Sequence, residues 1–367
     1  MIIKRFRARS FRNIESCDIE FHPGVNLLHG RNAQGKTNAM EGIYFFSRGR
    51  SFRGRDDSEL MKMGSEGFRI AIEYEDSCGE QSLEYAHYGK ERLRKKNGYK
   101  INRVSEMIGS FRAVLFYPDN LGLVKDGPEE RRTFLNVAAA SAYPAYVKTY
   151  ADYKKALENR NCILKLASKG FYYDEGELYS WSASMAEYAS YIYEARLEYL
   201  KKLQIYARKI LFEISEGKEE LTLEYKSDIP LDITDRRSIK DEYLRLLTEN
   251  ISREIAAGIT LYGPHRDDIE IKIGEYSARS FASQGQQRSI VLAMKLGEGE
   301  VCRDLTGEYP VFLFDDVLSE LDEKRREYVL RGGSERQIII TSCESDEYRS
   351  FANREIDVSD GKYEVIY

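Results

Sequence analysis

Hydrophobic residues recur with one period near the two ends of the chain and with another in its middle. Residues 2–9 alternate, with Ile2, Lys4, Phe6 and Ala8 on one face and Ile3, Arg5, Arg7 and Arg9 on the other, which predicts a strand. Segments 17–21 and 25–29 predict two more, with Pro23-Gly24 as the turn between them. A helix is predicted from about 38 to 48, where Ala39, Met40, Ile43, Tyr44 and Phe46 leave most of the surface apolar, as for a helix packed on a sheet. Strand patterns follow at 67–75 and 81–88. Within the run 90–103, Asn97-Gly98 predicts a hairpin closed by a type I′ turn, and Ala113-Val114-Leu115-Phe116 is a short apolar strand. From about 128 to 215 Gly and Pro become rare, and Ala, Leu, Tyr, Lys and Glu dominate. Two long helices are expected there, at 128–168 and 176–215, separated at Lys169-Gly170-Phe171. Their apolar spacing is not a strict heptad, so a globular helical lobe is expected rather than an extended coiled coil. A strand at 220–226 and a helix at 237–257 come next. The final third predicts strands at 268–273, 311–314, 337–341 and 354–358, with helices near 285–303 and 321–331.

Between strand 25–29 and helix 38–48 stands Gly30-Arg31-Asn32-Ala33-Gln34-Gly35-Lys36-Thr37, the spacing Gly-x-x-x-x-Gly-Lys-Thr of a phosphate-binding loop. Gly30 and Gly35 let the backbone turn so that successive N–H groups converge on one anion, and the helix adds its N-terminal dipole. Arg31, Asn32, Ala33, Gln34 and Asn38 complete the candidate cradle. Lys36 supplies charge for the β- and γ-phosphates, and the Thr37 hydroxyl is a candidate Mg²⁺ ligand. Pro310-Val311-Phe312-Leu313-Phe314 suits a central parallel strand and ends in Asp315-Asp316. Asp315 is the candidate metal ligand, and Asp316 the group that orients or deprotonates an attacking water. Two acids at a strand end also fit an ordinary turn; the phosphate loop earlier in the chain decides for the metal reading. Ser283-Gln284-Gly285-Gln286-Gln287-Arg288 opens a helix and offers a second anion site, and Ser319-Glu320-Leu321-Asp322 caps a charged helix.

Composition narrows the setting. The 367 residues allow one large or two ordinary domains, and 42% hydrophobic with 32% charged residues reads as a soluble globular chain. No apolar run is long enough to span a bilayer, and Met1-Ile2-Ile3-Lys4 leads directly into a strand pattern, so a cytoplasmic protein is expected. Cys17, Cys78, Cys162, Cys302 and Cys343 are scattered, and neither they nor the histidines have metal-ligand spacing; Cys343 reads as a buried thiol. With a net charge of −5, any DNA contact has to be local. The candidates are Arg92, Arg94, Lys95 and Lys96 in the densest basic run, and Arg50 and Arg53 in the arginine loop 48–55. Either patch is equally a solvated face, and Arg50 and Arg53 are near enough to the phosphate-loop helix to touch nucleotide instead. No groove-reading motif stands out, so binding selective for DNA structure and sensitive to salt is expected. His265-Arg266-Asp267-Asp268 could be taken for an acid/base or metal cluster; a structural or interface element is the preferred reading.

The order of phosphate loop, helical insertion, Ser-x-Gly-Gln-Gln block, carboxylate strand and Ser-x-Leu-Asp segment resembles the ABC-type ATPases. Phe11-Arg12-Asn13-Ile14, Gly49-Arg50-Ser51-Phe52-Arg53, Gly127-Pro128-Glu129-Glu130-Arg131-Arg132, Tyr262-Gly263-Pro264-His265-Arg266-Asp267-Asp268 and Phe314-Asp315-Asp316-Val317-Leu318-Ser319-Glu320-Leu321-Asp322 are similar to the RecF-type recombination-repair ATPases of bacteria, in the same order. The resemblance implies an α/β, ABC-type P-loop ATPase head, a mixed sheet with flanking helices built from both chain ends, plus a mainly helical second lobe. The expected division is 1–125, 126–258 as the helical insertion, and 259–367 with the signature block, Walker B strand and D-loop. It implies ATP and Mg²⁺ as cofactors, with Lys36, Asp316 and Ser283 as catalytic residues. It further implies an ATP-driven head-to-tail homodimer in which Ser283, Gly285 and Gln286 of one copy close over the γ-phosphate held by the other. The implied partners are double-stranded, gapped and junction DNA, a RecR-like mediator and, indirectly, RecA, at the nucleoid. Asn136 stands where the family pattern has Asp, and Asp126 where it has Gly. No Q-loop glutamine is placed, and Thr341-Ser342 replaces a switch histidine, which fits slow hydrolysis. A structural chromosome ATPase of SMC type is disfavoured because 128–215 is too short for a long arm. A small-molecule P-loop kinase would have no use for the signature and D-loop blocks.

Overall fold

The computed structural model describes residues 1–54, 56–230, 235–344 and 346–366; Arg55 of the arginine loop lies outside the described residues. The chain divides into two compact units, the first made of residues 1–121, 206–219 and 284–367 and the second of 122–205 and 220–283. The expected boundaries shift: residues 122–125 and 259–283 fall in the second unit, and residues 206–219, inside the expected insertion 126–258, fall in the first.

In the first unit the alternating N-terminal segments pair as a six-stranded antiparallel sheet in the order Ile14–Glu20, Ile2–Phe11, Gly67–Asp76, Gly79–Tyr88, Glu91–Lys96 and Tyr99–Lys100. The alternation predicted for residues 2–9 slips once. A register shift between Ile3 and Arg5 puts Ile3 on the buried side with Phe6 and Ala8, away from Arg7 and Arg9. The hairpin expected at Asn97-Gly98 is present, with φ of 51° and 80° at the two residues as a type I′ turn needs.

The second sheet of this unit is mixed, in the order Lys362–Val365, Arg354–Ser359, Val25–His29, Ile338–Ser342, Val311–Asp315 and Ala113–Phe116. Its first strand is antiparallel and the other five run parallel. Buried on both faces, Val25–His29, Val311–Asp315 and Ile338–Ser342 read as continuous apolar runs rather than alternating ones. Helix Lys36–Arg48 is buried at Ala39, Met40, Ile43, Tyr44, Phe45 and Phe46. These side chains join one core with Phe6 and Phe11 of the antiparallel sheet and Leu115 and Leu313 of the mixed sheet. Gly42 is required at that contact, because a Cβ there would lie 2.5 Å from the Phe6 ring.

The second unit is mainly helical, with a three-stranded sheet of Tyr276–Ser277, Asp268–Ile273 and Leu221–Lys226. The single helix expected at 128–168 is two, Pro128–Ala142 and Tyr146–Ala167. Pro144 separates them: the residue before a proline is driven out of the helical region, and Tyr143 is extended at φ −117°, ψ 110°. The helix expected at 237–257 is also two, Arg236–Glu249 and Ile251–Ala257, the second ending on Gly258 in the left-handed region. Helix Glu175–Ile214 is 40 residues long; residues up to 205 belong to the second unit, where Leu178, Met185, Ile192 and Leu203 are buried, and residues 206–214 belong to the first, where Leu211 is buried. No helix among the described residues is long and apolar enough to cross a membrane.

Candidate active site

Parallel strands bring the chain segments that follow them to a common edge. Strand Ile338–Ser342 lies between Val25–His29 and Val311–Asp315, with Ser342 opposite His29 and Thr341 opposite Asp315. The phosphate loop, Asp315-Asp316 and Thr341-Ser342-Cys343 therefore converge, although they are far apart in sequence. Gly30 has φ 147° and Gly35 φ 121°, and a Cβ on Gly30 would lie 2.2 Å from the Val358 carbonyl oxygen. No side chain fits there, so the loop's path is open to glycine alone. Its shape is fixed from outside: the Asp360 N–H donates to Gln34 Oε1 at 2.5 Å, Gly361 N–H to the Gln34 carbonyl at 2.9 Å, and the Tyr363 hydroxyl to the Gly35 carbonyl at 2.8 Å. On the other side Asn13 Nδ2 donates to the Ala33 carbonyl at 3.3 Å, and Asn38 Nδ2 to Asn13 Oδ1 at 2.6 Å.

Lys36 is buried, and its ammonium donates to the carbonyls of Gly30 at 2.6 Å and Arg31 at 3.0 Å. The Thr37 hydroxyl donates to Asp315 Oδ1 at 3.0 Å, and the Thr341 hydroxyl donates to the same oxygen at 2.8 Å. Thr341 Oγ1 in turn accepts the Asp316 N–H at 2.9 Å, so one hydroxyl holds the Asp315 carboxylate and the Asp316 backbone. Burial pushes the Asp315 carboxyl above the usual carboxylate range, against the hydrogen bonds from Thr341 and Thr37 and the positive charge of Arg53. Asp316 is exposed and held at φ 54°, a left-handed position that Asp takes more readily than most residues. A hydroxyl and a carboxylate oxygen in contact are the hard oxygen donors that Mg²⁺ prefers, so Thr37 and Asp315 fit that ion.

Ser283 and Gly285 are exposed, Gln286 is half-buried, and helix Gln284–Thr306 begins at this block. Its Arg288 pairs with Glu320 at 3.0 Å, which ties the signature helix to the Ser319-Glu320-Leu321-Asp322 segment. The DNA candidates have partners of their own. Arg92 pairs with Asp57 at 3.2 Å, Arg94 lies over the Tyr85 ring, Lys95 is 3.7 Å from Glu84, and Lys96 donates to Ser110. Arg50 is exposed, whereas Arg53 is drawn onto the phosphate-loop helix through Glu41 and Asn38.

Two expectations change. Cys343 is exposed rather than buried: it follows the last residue of strand Ile338–Ser342, and its thiol donates to Asn32 Oδ1 at 2.8 Å with Lys36 Nζ 3.6 Å away. Thr341, noted in the sequence only as replacing a histidine, bonds the Asp315 carboxylate and the Asp316 backbone. A hydroxyl residue closing an apolar strand was its sole local signal. His265-Arg266-Asp267-Asp268 belongs to a separate polar core in the second unit. There His265 Nδ1 contacts the Tyr153 hydroxyl at 2.7 Å, Asp267 accepts from Tyr225 at 2.7 Å, and Asp268 takes a two-pronged bond from Arg131.

A family model of the RecF/RecN/SMC N terminal domain matches residues 2–364. The chain is 35% identical to the DNA replication and repair protein RecF of Acetivibrio thermocellus over 358 residues, 96% of each chain. It is 38% identical to the RecF of Clostridium novyi, covering 93% of this chain and 92% of that one. The solved structure of the recombination mediator protein RecF-ATP in the RecFOR pathway superposes with a TM-score of 0.93 at 33% identity, over 100% of this chain and 98% of that chain. An Smc head domain from Pyrococcus furiosus, bound to the C-terminal domain of ScpA, matches at TM-score 0.58 and 18% identity over 100% of this chain and 96% of that one, a likeness of fold.

Proposed function

The chain belongs to the RecF family of DNA replication and repair proteins, and we propose that its ATP-bound dimer clamps DNA near double-strand/single-strand junctions and releases it on slow hydrolysis. The observation that carries the reading is the meeting of Lys36, Thr37, Asp315 and Thr341 at one edge of the parallel strands. The loop N–H groups and the helix N-terminus receive the phosphates of ATP, and Lys36 exchanges the Gly30 and Arg31 carbonyls for phosphate oxygens. Thr37 and Asp315 would hold Mg²⁺, which when bound neutralises charge on the transferring phosphoryl group. Asp316, fixed through its N–H on Thr341, orients the attacking water. Ser283, Gly285 and Gln286, on an exposed helix start, close the same site from a second copy.

DNA stimulation of hydrolysis, action with a RecR-like mediator to promote RecA loading, and work in the cytoplasm at the nucleoid complete the proposal. The relation to RecF proteins supports it. Sedimentation with no nucleotide, ADP, or ATP plus Mg²⁺, each with and without a gapped duplex, is the test. An ATP-specific dimer that retains the duplex is expected; a monomer indifferent to nucleotide and DNA would refute the clamp. Asp316→Asn should dimerise with ATP and stop turning over, and Ser283→Arg should bind ATP as a monomer.

A further inference from the structure

Glu41 lies in the second turn of the phosphate-loop helix and is fully buried, yet it takes charge from two directions. From the turn after the first strand, Arg12 donates to Glu41 Oε2 at 2.9 Å and to Oε1 at 2.7 Å. From the arginine loop, Ser51 donates to Oε1 at 2.5 Å and Arg53 donates to Oε2. Both segments also brace the phosphate loop directly, through Asn13 on Ala33 and Arg53 on Asn38. The Ser51 hydroxyl accepts the N–H groups of Arg53 and Gly54 at 2.9 and 2.8 Å, so the loop's turn is wound around the oxygen that Glu41 holds.

Two guanidiniums share one carboxylate, and Arg12 is further tied to the Glu59 carbonyl at 2.7 Å with 22% of its side chain exposed. Arg53 is 35% exposed and is the open end of the cluster. Its guanidinium also donates to Asn38 Oδ1, next to Thr37, whose hydroxyl bonds Asp315. The Glu41 carboxyl stays below its ordinary value, because bonds from Arg12, Arg53 and Ser51 outweigh the burial that opposes ionisation.

We propose that Glu41 is a positioning residue: one buried carboxylate that fixes Arg12 and Arg53 against the phosphate-loop helix and presents the Arg53 guanidinium to a phosphate group beside Asp315. The inference rests on the ATPase reading above and adds to it a role for a residue outside the phosphate-loop and carboxylate motifs. A carboxylate that merely anchored two loops would affect stability and leave the chemical step alone, and that separates the two roles.

The experiment compares the full chain with Glu41→Gln, Arg53→Gln and the double variant. It records thermal melting, hydrogen exchange across residues 49–54 without nucleotide, ATP turnover, and affinity for a gapped duplex. In Glu41→Gln, exchange across 49–54 should rise, and kcat should fall about tenfold with KM changed less than about threefold. The double variant should lose no more than the worse single one, since both act through the same guanidinium. A turnover loss with unchanged duplex affinity assigns Arg53 to the nucleotide's phosphate; a parallel loss of duplex affinity assigns it to the DNA backbone. Wild-type kcat in Glu41→Gln, or additive losses in the double variant, would overturn the proposal. Should Glu41→Gln not fold, Glu41→Asp replaces it: raised exchange across 49–54 with a kcat loss not added to that of Arg53→Gln supports the proposal, and wild-type kcat overturns it. Should the unaltered protein hydrolyse no ATP, the ATPase reading fails, and exchange across 49–54 still tests the hold of Glu41, with unchanged exchange in Glu41→Gln counting against it.

Discussion

The guanidinium of Arg196 in the second unit and the ammonium of Lys36 in the first are both hidden from solvent, at 0% and 6% exposure, yet their partners differ in kind. Arg196 bonds the Tyr146 hydroxyl at 3.0 Å, the Tyr225 hydroxyl at 2.9 Å, the Pro264 carbonyl at 2.7 Å and Asn136 at 2.7 Å, groups set on different elements of a packed core. Arg160 is held likewise by Ser182, Thr260 and Glu254. Lys36 bonds two carbonyls of its own loop, whose neighbours Arg31, Asn32 and Ala33 are exposed. A cation satisfied by the core cannot leave its partners without stranding them in a dry place. One satisfied by a solvent-facing loop can exchange them for a ligand, because water reaches what it leaves behind. Burial of charge alone therefore does not mark a site; the identity of the partners does.

The sharpest break in this comparison would come from Arg196→Ala. It strands two tyrosine hydroxyls, an amide and a carbonyl, and is expected to cost about 3–5 kcal/mol in denaturant unfolding. An unchanged midpoint would mean that the cluster is not structural. The next effect is in pH. Burial lowers His265 to about 4, assisted by the positive charges of Arg266, Lys154 and Arg132. The stability from keeping that imidazole neutral is present above pH 6.5 and is lost as pH falls toward 4, by up to about 3 kcal/mol. Burial raises Asp267 to about 6, so its contribution has the opposite sign, present in acid and lost as pH rises through about 6. His265→Gln should remove the acid-side loss, and melting curves between pH 7 and 4.5 would then show stability rising as pH falls.

On the other side of the comparison, Lys36→Ala should leave the melting temperature nearly unchanged while ATP affinity drops about 100-fold, on the order of 3 kcal/mol. Equilibrium binding of a fluorescent ATP analogue measures it, and retained affinity would contradict the exchange argument. The smallest effect belongs to Thr341→Val, which removes the hydroxyl shared by Asp315 and Asp316. Turnover should fall about tenfold while nucleotide affinity holds, and equal losses in both would assign Thr341 to binding.

Much of the site was legible locally. The Gly-x-x-x-x-Gly-Lys-Thr spacing, an apolar strand closing on Asp315-Asp316, and Asn97-Gly98 all act within a few residues, where backbone conformation answers directly to residue type. Pro144 was legible too, and the long helix expected at 128–168 overlooked it: alanine-rich composition outweighed a single residue whose steric effect is absolute. The slip at Ile3 had no local signal, since a bulge is settled by the neighbouring strand. Cys343 was misread because its exposure depends on where its strand ends in the sheet, and a Cys beside an apolar run looks buried from the sequence.

The sequence by itself determined the loop, the carboxylate strand, the signature block and the helical character of the middle third, because each rests on interactions between near neighbours in the chain. Tertiary structure alone decided that Thr341 stands between two acids, that Glu41 collects Arg12 and Arg53, and that His265, Asp267 and Asp268 join a polar core in the second unit. Those contacts join residues tens to hundreds of positions apart. Which of them form is set by strand order and by the burial of one face against another, quantities that no local pattern of residues carries.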